Sequence, residues 1–142
     1  MHISELLKGK GSEVVTISPD ATVRDLVALL DEYNIGAVVV SAGGGVVAGI
    51  VSERDVVRGL VSGPNVLDSA VSDIMTSDVR CASPQDSVPQ LMQTMTDFRI
   101  RHVPVVADDR LAGIISIGDV VKSRIGELEF ERDQLEHYVA GS

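Results

Sequence analysis

Two short stretches of this chain carry residue types that could do chemistry. Ser52-Glu53-Arg54-Asp55 follows the apolar run Val47-Ala48-Gly49-Ile50-Val51, and Ser116-Ile117-Gly118-Asp119 follows Leu111-Ala112-Gly113-Ile114-Ile115. Both read glycine, two apolar residues, serine, two variable positions, aspartate and two valines. A strand that turns into a helix at Ser-x-x-Asp gathers a hydroxyl, a carboxylate and the unpaired N–H groups of a helix start. Such a corner suits a ligand bearing both phosphates and sugar hydroxyls. The same residues also make a capping box, and for one copy alone that structural role is the stronger reading. The chain has capping boxes at Thr22 with Asp25 and at Ser87 with Gln90 that suggest no ligand chemistry. Two features shift the balance. The whole glycine-to-valine context occurs twice, and Arg99-Ile100-Arg101-His102 puts two arginines and a histidine at a strand start where the first copy has Asn34-Ile35-Gly36-Ala37.

Other chemistries lack their residues. His2, His102, His137 and Cys81 show no metal-ligand spacing. There is no Gly-x-Ser-x-Gly elbow, Walker loop or Rossmann glycine fingerprint. Gly43-Gly44-Gly45 reads as a hairpin tip, because no Lys-Ser/Thr pair and helix follow it. Cys81 falls in an expected apolar strand and reads as packing. No catalytic residue and no metal site is assigned.

The elements that would position the two corners also come in pairs. Residues 3–7, ISELL, form a helical lead-in that VSDIM repeats at 71–75, and 8–12 is a loop. A strand over 14–17 precedes a helix capped by Thr22, with Val23, Leu26, Val27, Leu29 and Leu30 as its apolar face and Asn34 as its end. Strands over 37–40 and 46–51 flank the glycine turn, and a helix runs from Asp55 to about Val61 before Ser62-Gly63-Pro64-Asn65. The second half gives a strand over 79–82, a helix with Val88, Leu91, Met92 and Met95 buried, and strands over 102–106 and 111–115 joined by Asp108-Asp109-Arg110. Positions correspond at an offset of 65 residues up to Val40 and 64 from Ala48, so one residue is lost in the hairpin. The chain is an internal duplication. The last helix extends to about Val139, with Val121, Ile125, Leu128, Leu135 and Val139 on one stripe interrupted by Arg132, and it is expected to pack on a neighbouring subunit.

At 142 residues the chain can hold one domain or two small repeats sharing a core. Its hydrophobic content, 44%, is mostly aliphatic, with two Phe, two Tyr and no Trp, so a planar ligand would meet aliphatic walls. A net charge of −9 argues against nucleic acid and anionic membranes as partners. The single cysteine fits a reducing compartment, and no stretch reaches the ~20 apolar residues of a membrane span. The chain is expected to be soluble and cytoplasmic.

In ISPDATVRDLVALLDEYNIGAVVV with GIVSERDVV, and ASPQDSVPQLMQTMTDFRIRHVPVV with GIISIGDVV, the chain resembles a tandem pair of cystathionine-β-synthase (CBS) domains, a Bateman module of the stand-alone bacterial type. The resemblance covers residues 3–122. It implies an α/β (α+β) fold of two strand-helix-strand-strand-helix repeats about a pseudo-two-fold axis, with repeats at 1–66 and 67–124 and a helical extension at 125–142. It also implies adenosine-ligand binding between the repeats, with Asp55 and Asp119 on ribose hydroxyls and Ser52 and Ser116 on phosphate. Adenine contacts would come from Thr16, Ile17, Gly36, Ala37 and Val38 at one site, and from Cys81, His102, Val103 and Pro104 at the other. Arg54 could reach a phosphate; Gly118 at the matching position cannot, so the sites are not equivalent. Alternation along a strand sends Arg99 and Arg101 to one side and His102 to the other. The cleft reached by Arg101 and His102 is expected to take the more phosphorylated ligand, unless the arginines pair with Asp97 or Asp108 in solvent. The expected protein is a homodimeric, non-enzymatic sensor of AMP, ATP or NAD(H) that signals to an unknown regulated protein. A structural adaptor with empty clefts is the alternative, and a nucleotide-processing enzyme is a third reading.

Overall fold

The computed structural model describes residues 1–10 and 14–141. In chain order it has α1 (Ile3–Lys10), β1 (Thr16–Ile17), α2 (Val23–Tyr33), β2 (Ala37–Val40), β3 (Gly49–Ser52) and α3 (Glu53–Leu60). Short 3-10 turns at Pro64–Asp68 and Val71–Asp73 lead to α4 (Val88–Phe98), β4 (His102–Ala107), β5 (Arg110–Ser116) and α5 (Ile117–Gly141). The run α2-β2-β3-α3 thus recurs as α4-β4-β5-α5, an α+β fold with a long C-terminal helix. The lead-in helix continues through Lys8–Lys10, which were expected in a loop; the rest of that loop, Gly11 and Ser12, lies outside the described residues.

Local chemistry sets the helix limits. Thr22 and Asp25 cap α2 reciprocally, and Ser87 and Gln90 cap α4, with Pro89 in the first turn where its missing N–H costs nothing. Both helices end on a left-handed residue, Asn34 (φ 51°) and Arg99 (φ 52°). Their buried faces are Val23, Leu26 and Leu30, and Val88, Leu91 and Met95. Val27 and Met92, expected on those faces, are exposed. Each is one residue, or about 100° of helix, past the leucine that meets the core.

β2 lies between β1, parallel, and β3, antiparallel, with Thr16 opposite Val39 and Ala37 opposite Ser52. β4 and β5 repeat the antiparallel pair, with His102 opposite Ser116. The hairpin turns use Gly43, Gly44 and Gly45 in the first half and Asp108 and Asp109 in the second, all at positive φ. The strand expected over 79–82 is reduced to one parallel bridge, Ala82 to Val105, held by Ala82 N–H to Pro104 O and Val106 N–H to Ala82 O, both 2.9 Å. Arg80, Cys81 and Ala82 stand where the first half has Val15, Thr16 and Ile17, and they lack the β-branching that favours a strand. β3 likewise begins at Gly49 rather than Val46, which is exposed in the turn.

The two cores are completed crosswise. Ile3 and Leu6 of α1 are buried with Val88, Leu91, Val103 and Ile115 of the second half, while Val71 is buried with Val23, Leu26, Val38 and Val51 of the first. Matched backbone bonds hold the exchange: Ile3 N–H to Asp86 O and Ser4 N–H to Pro84 O on one side, Val71 N–H to Ala21 O and Ser72 N–H to Pro19 O on the other. Each repeat therefore closes with a segment that precedes its partner in sequence. The first Ser-x-x-Asp corner faces residues of the second repeat across the seam between them.

Candidate functional site

The first corner opens on a cleft of about 580 Å³ lined from both repeats. β2 and α3 contribute Gly36, Ala37, Ser52, Glu53, Arg54, Asp55 and Arg58; the end of α4 and the start of β4 contribute Phe98, Arg99, Ile100, Arg101 and His102. A bond from Glu53 N–H to Gly36 O, 2.9 Å, sets the helix start against the strand start. Gly36 is a seam position, because a Cβ there would lie 3.4 Å from Glu53 Oε1 and 3.6 Å from His102 Cε1. Ser52 N–H donates to Asp55 Oδ2 at 2.8 Å and Ser52 Oγ to the same oxygen at 3.1 Å, while Asp55 N–H donates to Ser52 Oγ at 3.3 Å. The capping box is thus complete, yet all of it falls on Oδ2. Among the described residues Oδ1 accepts no hydrogen bond.

Charge in the cleft is unbalanced. Arg54, Arg58, Arg99 and Arg101 line it, against the carboxylates of Glu53 and Asp55. None of the four arginines forms an ion pair among the described residues. Asp97 and Asp108, considered as their partners, do not pair with them. His102 is half-buried; its pKa is lowered chiefly by burial and further by Lys10 and Arg101, against the opposing pull of Asp119 and Glu53.

The second corner is built alike: its bonds also fall on Oδ2, and Oδ1 of Asp119 accepts none among the described residues, but a cation is added. Ser116 N–H donates to Asp119 Oδ2 at 2.8 Å, and Asp119 N–H to Ser116 Oγ at 3.1 Å. Lys10 Nζ, from α1, also lies 2.5 Å from Asp119 Oδ2. Burial raises the Asp119 pKa, but the Lys10 hydrogen bond and charge and the bonds from Ser116 outweigh it, so the carboxyl is held below its ordinary range. The sequence positions matching Arg54, Arg58, Arg99 and Arg101 are Gly118, Lys122, Asn34 and Gly36, of which Lys122 lines a pocket with Lys10 and Asp119 and Gly36 lines the first cleft.

Several expected site residues lie elsewhere. Arg101 and His102, grouped with Ser116, Gly118 and Asp119 by sequence, stand in the cleft of Ser52, Arg54 and Asp55. Arg99 lines it too, so all three share a cleft that strand alternation was expected to divide; β4 begins only at His102, and alternation governs neither the left-handed helix cap Arg99 nor Arg101, which precedes the strand. Ile17, Val38 and Val103 are core residues, Pro104 is buried, and Thr16 is exposed at β1. Cys81 is exposed rather than in a strand; it borders a separate cavity of about 230 Å³ with Asp86, Gln90 and Thr94, and partial burial pushes its thiol pKa up. Sequence reasoning missed Arg58, Phe98 and Thr76 in the cleft and Lys10 at the second corner. Arg58 was within reach, since it follows Arg54 by four residues on one helix face. Among the described residues no three of His, Cys, Asp and Glu are grouped as a metal site needs, and no helix is long and apolar enough to cross a membrane.

A family model described as the CBS domain matches residues 10–62 and 71–126. The CBS domain-containing protein CBSX3, mitochondrial, of Arabidopsis thaliana is 38% identical over 148 residues, spanning 98% of this chain and 72% of that protein. Among solved structures, the CBS-domain containing protein ATU1752 from Agrobacterium tumefaciens matches with a TM-score of 0.85 at 46% identity, covering 87% of this chain and 99% of that one. The CBS domain pair of protein MJ0100, solved in complex with 5′-methylthioadenosine and S-adenosyl-L-methionine, matches in fold with a TM-score of 0.80 at 23% identity, covering 89% and 98%. Two consecutive family matches, one over each half of the duplication and each ending beyond a Ser-x-x-Asp corner, show that this chain belongs to the CBS-domain family as a tandem pair.

Proposed function

We propose that the chain is a regulatory module that binds an adenine nucleotide, AMP, ATP or NAD(H), in the cleft between Asp55 and Arg101 and passes its ligand state to a partner protein. The observation that carries this reading is the set of four arginines without ion pairs around a carboxylate with a free oxygen. Guanidinium groups fork onto phosphate oxygens, and Asp55 Oδ1 can accept from ribose hydroxyls. Adenine would rest on Ala37, Ile50 and Ile100, which supply an aliphatic wall. The repeats, expected at 1–66 and 67–124 but with the lead-ins that carry Ile3 and Val71 exchanged between their cores, would turn relative to one another as the seam closes on the ligand. The ligand can shift that equilibrium only by its difference in affinity for the two arrangements. The extension at 125–142 would hold two chains together.

The complete capping boxes favour a second reading, an adaptor whose clefts stay empty and whose Ser-x-x-Asp corners serve only the fold. Asp55→Ala separates the two. On the nucleotide reading, calorimetric titration with AMP or ATP shows a ten- to hundredfold loss of affinity, the equivalent of about 1.5–3 kcal/mol for lost charge-assisted bonds. On the adaptor reading, wild type binds none of AMP, ATP and NAD(H), and the variant loses only about 1 kcal/mol of stability with its cap.

A further inference from the structure

We propose that Lys10, by neutralising Asp119 beside a pocket of about 750 Å³ that both residues line, keeps ribose from the second corner, so that each chain takes one nucleotide, at Asp55, and that removing Lys10 makes the second corner competent. This rests on the nucleotide reading of the corners and adds the residue that decides which of them is used. It starts from one hydrogen bond that the two halves make with different partners. In the first half Ile50 exchanges two backbone bonds with Thr76, Ile50 N–H to Thr76 O at 3.0 Å and Thr76 N–H to Ile50 O at 2.9 Å. In the second half the matching carbonyl, that of Ile114, accepts from Lys10 Nζ at 2.7 Å. The two lead-ins arrive differently: α1 runs on to Lys10, while the 3-10 turn of the other ends at Asp73 and gives way to a backbone bridge at Thr76.

A lysine side chain therefore does at the second corner what a peptide group does at the first, and it brings a cation with it. That cation lies on Asp119, whereas the lead-in residue matching Lys10 is Asp78, and no cation is bonded to Asp55 among the described residues. The ammonium, anchored on a second acceptor, shares Oδ2 with the cap and leaves Oδ1 without a bond; by neutralising the carboxylate it makes Oδ1 a weaker acceptor for neutral ribose hydroxyls than its counterpart on Asp55. The pair is only 35% and 24% exposed on its two side chains, so solvent screens it incompletely. Displacing Lys10 also brings little in return, because of the positions matching the four arginines of the first cleft only Lys122 carries a charge, and it lines the same pocket as Lys10 and Asp119.

The test is calorimetric titration of AMP and ATP into wild type and Lys10→Met, with carboxyl NMR of Asp119 in both; Lys10→Gln repeats it should the methionine variant aggregate. Wild type is expected to bind one equivalent per chain, and Lys10→Met to gain a second equivalent or at least a fivefold tighter second site. That gain should vanish in Lys10→Met combined with Asp119→Asn, and the Asp119 carboxyl should titrate higher once Lys10 is gone. Two equivalents on wild type, unchanged in Lys10→Met, overturn the proposal. So does weaker second-site binding in the variant, which makes Lys10 a ligand contact, or an unchanged Asp119 titration, which shows that the pair does not form in solution. Loss of all nucleotide binding, at Asp55 as well, marks failure of the underlying nucleotide reading and takes this proposal with it.

Discussion

Arg99, Arg101 and His102 line one cleft, although a regular strand would turn His102 away from the two arginines. Arg99 is a helix cap and Arg101 precedes β4, so neither is bound by strand alternation. Arg101→Ala should therefore weaken ATP more than AMP, by about tenfold for a lost charge-assisted contact. It should also flatten the salt dependence of ATP binding, since a partly exposed ion pair is screened. Calorimetry at low and high salt reads both effects, and an unchanged ATP affinity and salt slope would remove Arg101 from the phosphate site. His102 gives a prediction of another kind. Its folded pKa lies below the ordinary 6.5, chiefly through burial, so the neutral ring is the form the fold favours. The associated stability is fully present above pH 6.5 and is lost as pH falls from there through the folded pKa. Chemical denaturation of wild type and His102→Gln across this range should show the wild type losing more stability as the solution is acidified. Parallel curves would mean that the ring titrates as it does in water.

The glycine of each motif seats the other repeat's lead-in, and the two seats differ in what they would tolerate. A Cβ on Gly49 would lie 2.6 Å from Met75 Sδ and 2.8 Å from the Thr76 carbonyl oxygen, which is backbone and bonded to Ile50. The three atoms nearest a Cβ on Gly113 all belong to the Leu7 side chain, Cδ2 at 2.5 Å, and a methyl at the end of a side chain can turn away. Gly49→Ala should cost about 1–3 kcal/mol as an overpacked contact and Gly113→Ala clearly less, read as the difference in denaturation midpoints. Equal costs would mean that the backbone bridge at Thr76 yields as easily as a leucine rotamer. This also marks how far sequence reached. The capping boxes at Thr22 and Ser87, the glycine and aspartate turns and the duplication were legible, because each is fixed by residues within a few positions of one another. The crosswise exchange was not, although ISELL and VSDIM were seen to match, since a match does not say which core a segment covers. The strand over 79–82 failed for the complementary reason: its apolar ends suggested pairing, but Arg80 and Cys81 between them gave little to hold it. At the site, sequence found both corners but divided their residues between the clefts by chain order, whereas the fold divides them across the seam.

At the scale of the whole molecule the unsolved burial is in α5. Val120 is fully buried, yet Val121, Ile125, Leu128, Leu135 and Val139 are all exposed, and from Leu128 to Gly141 every residue is. Arg132, which breaks that stripe, is within 3.4 Å of Asp133 and 4.0 Å of Glu136, so its charge is held along the helix. A helical segment of this length is marginal in water on its own, and its stability must come from packing an apolar face. A second chain offers the same stripe, and a two-fold arrangement would cover both at once. The protein should therefore sediment as a dimer. Truncation after Lys122 should shift it toward a monomer, lighter than the 15.1 kDa of the full chain, while leaving AMP affinity unchanged, because every residue assigned to the first cleft precedes Val103. Velocity sedimentation over a range of concentrations, with calorimetry on the same samples, measures both. A wild type that stays monomeric at all concentrations would remove the dimer. A truncated chain that associates as tightly as the full one would place the contact elsewhere, on the exposed Val57, Leu60 and Val61 of the α3 end or on Met92 of α4. Loss of nucleotide affinity together with loss of the dimer would mean that the cleft is held in shape by the neighbouring chain, and that association and ligand binding are one linked equilibrium.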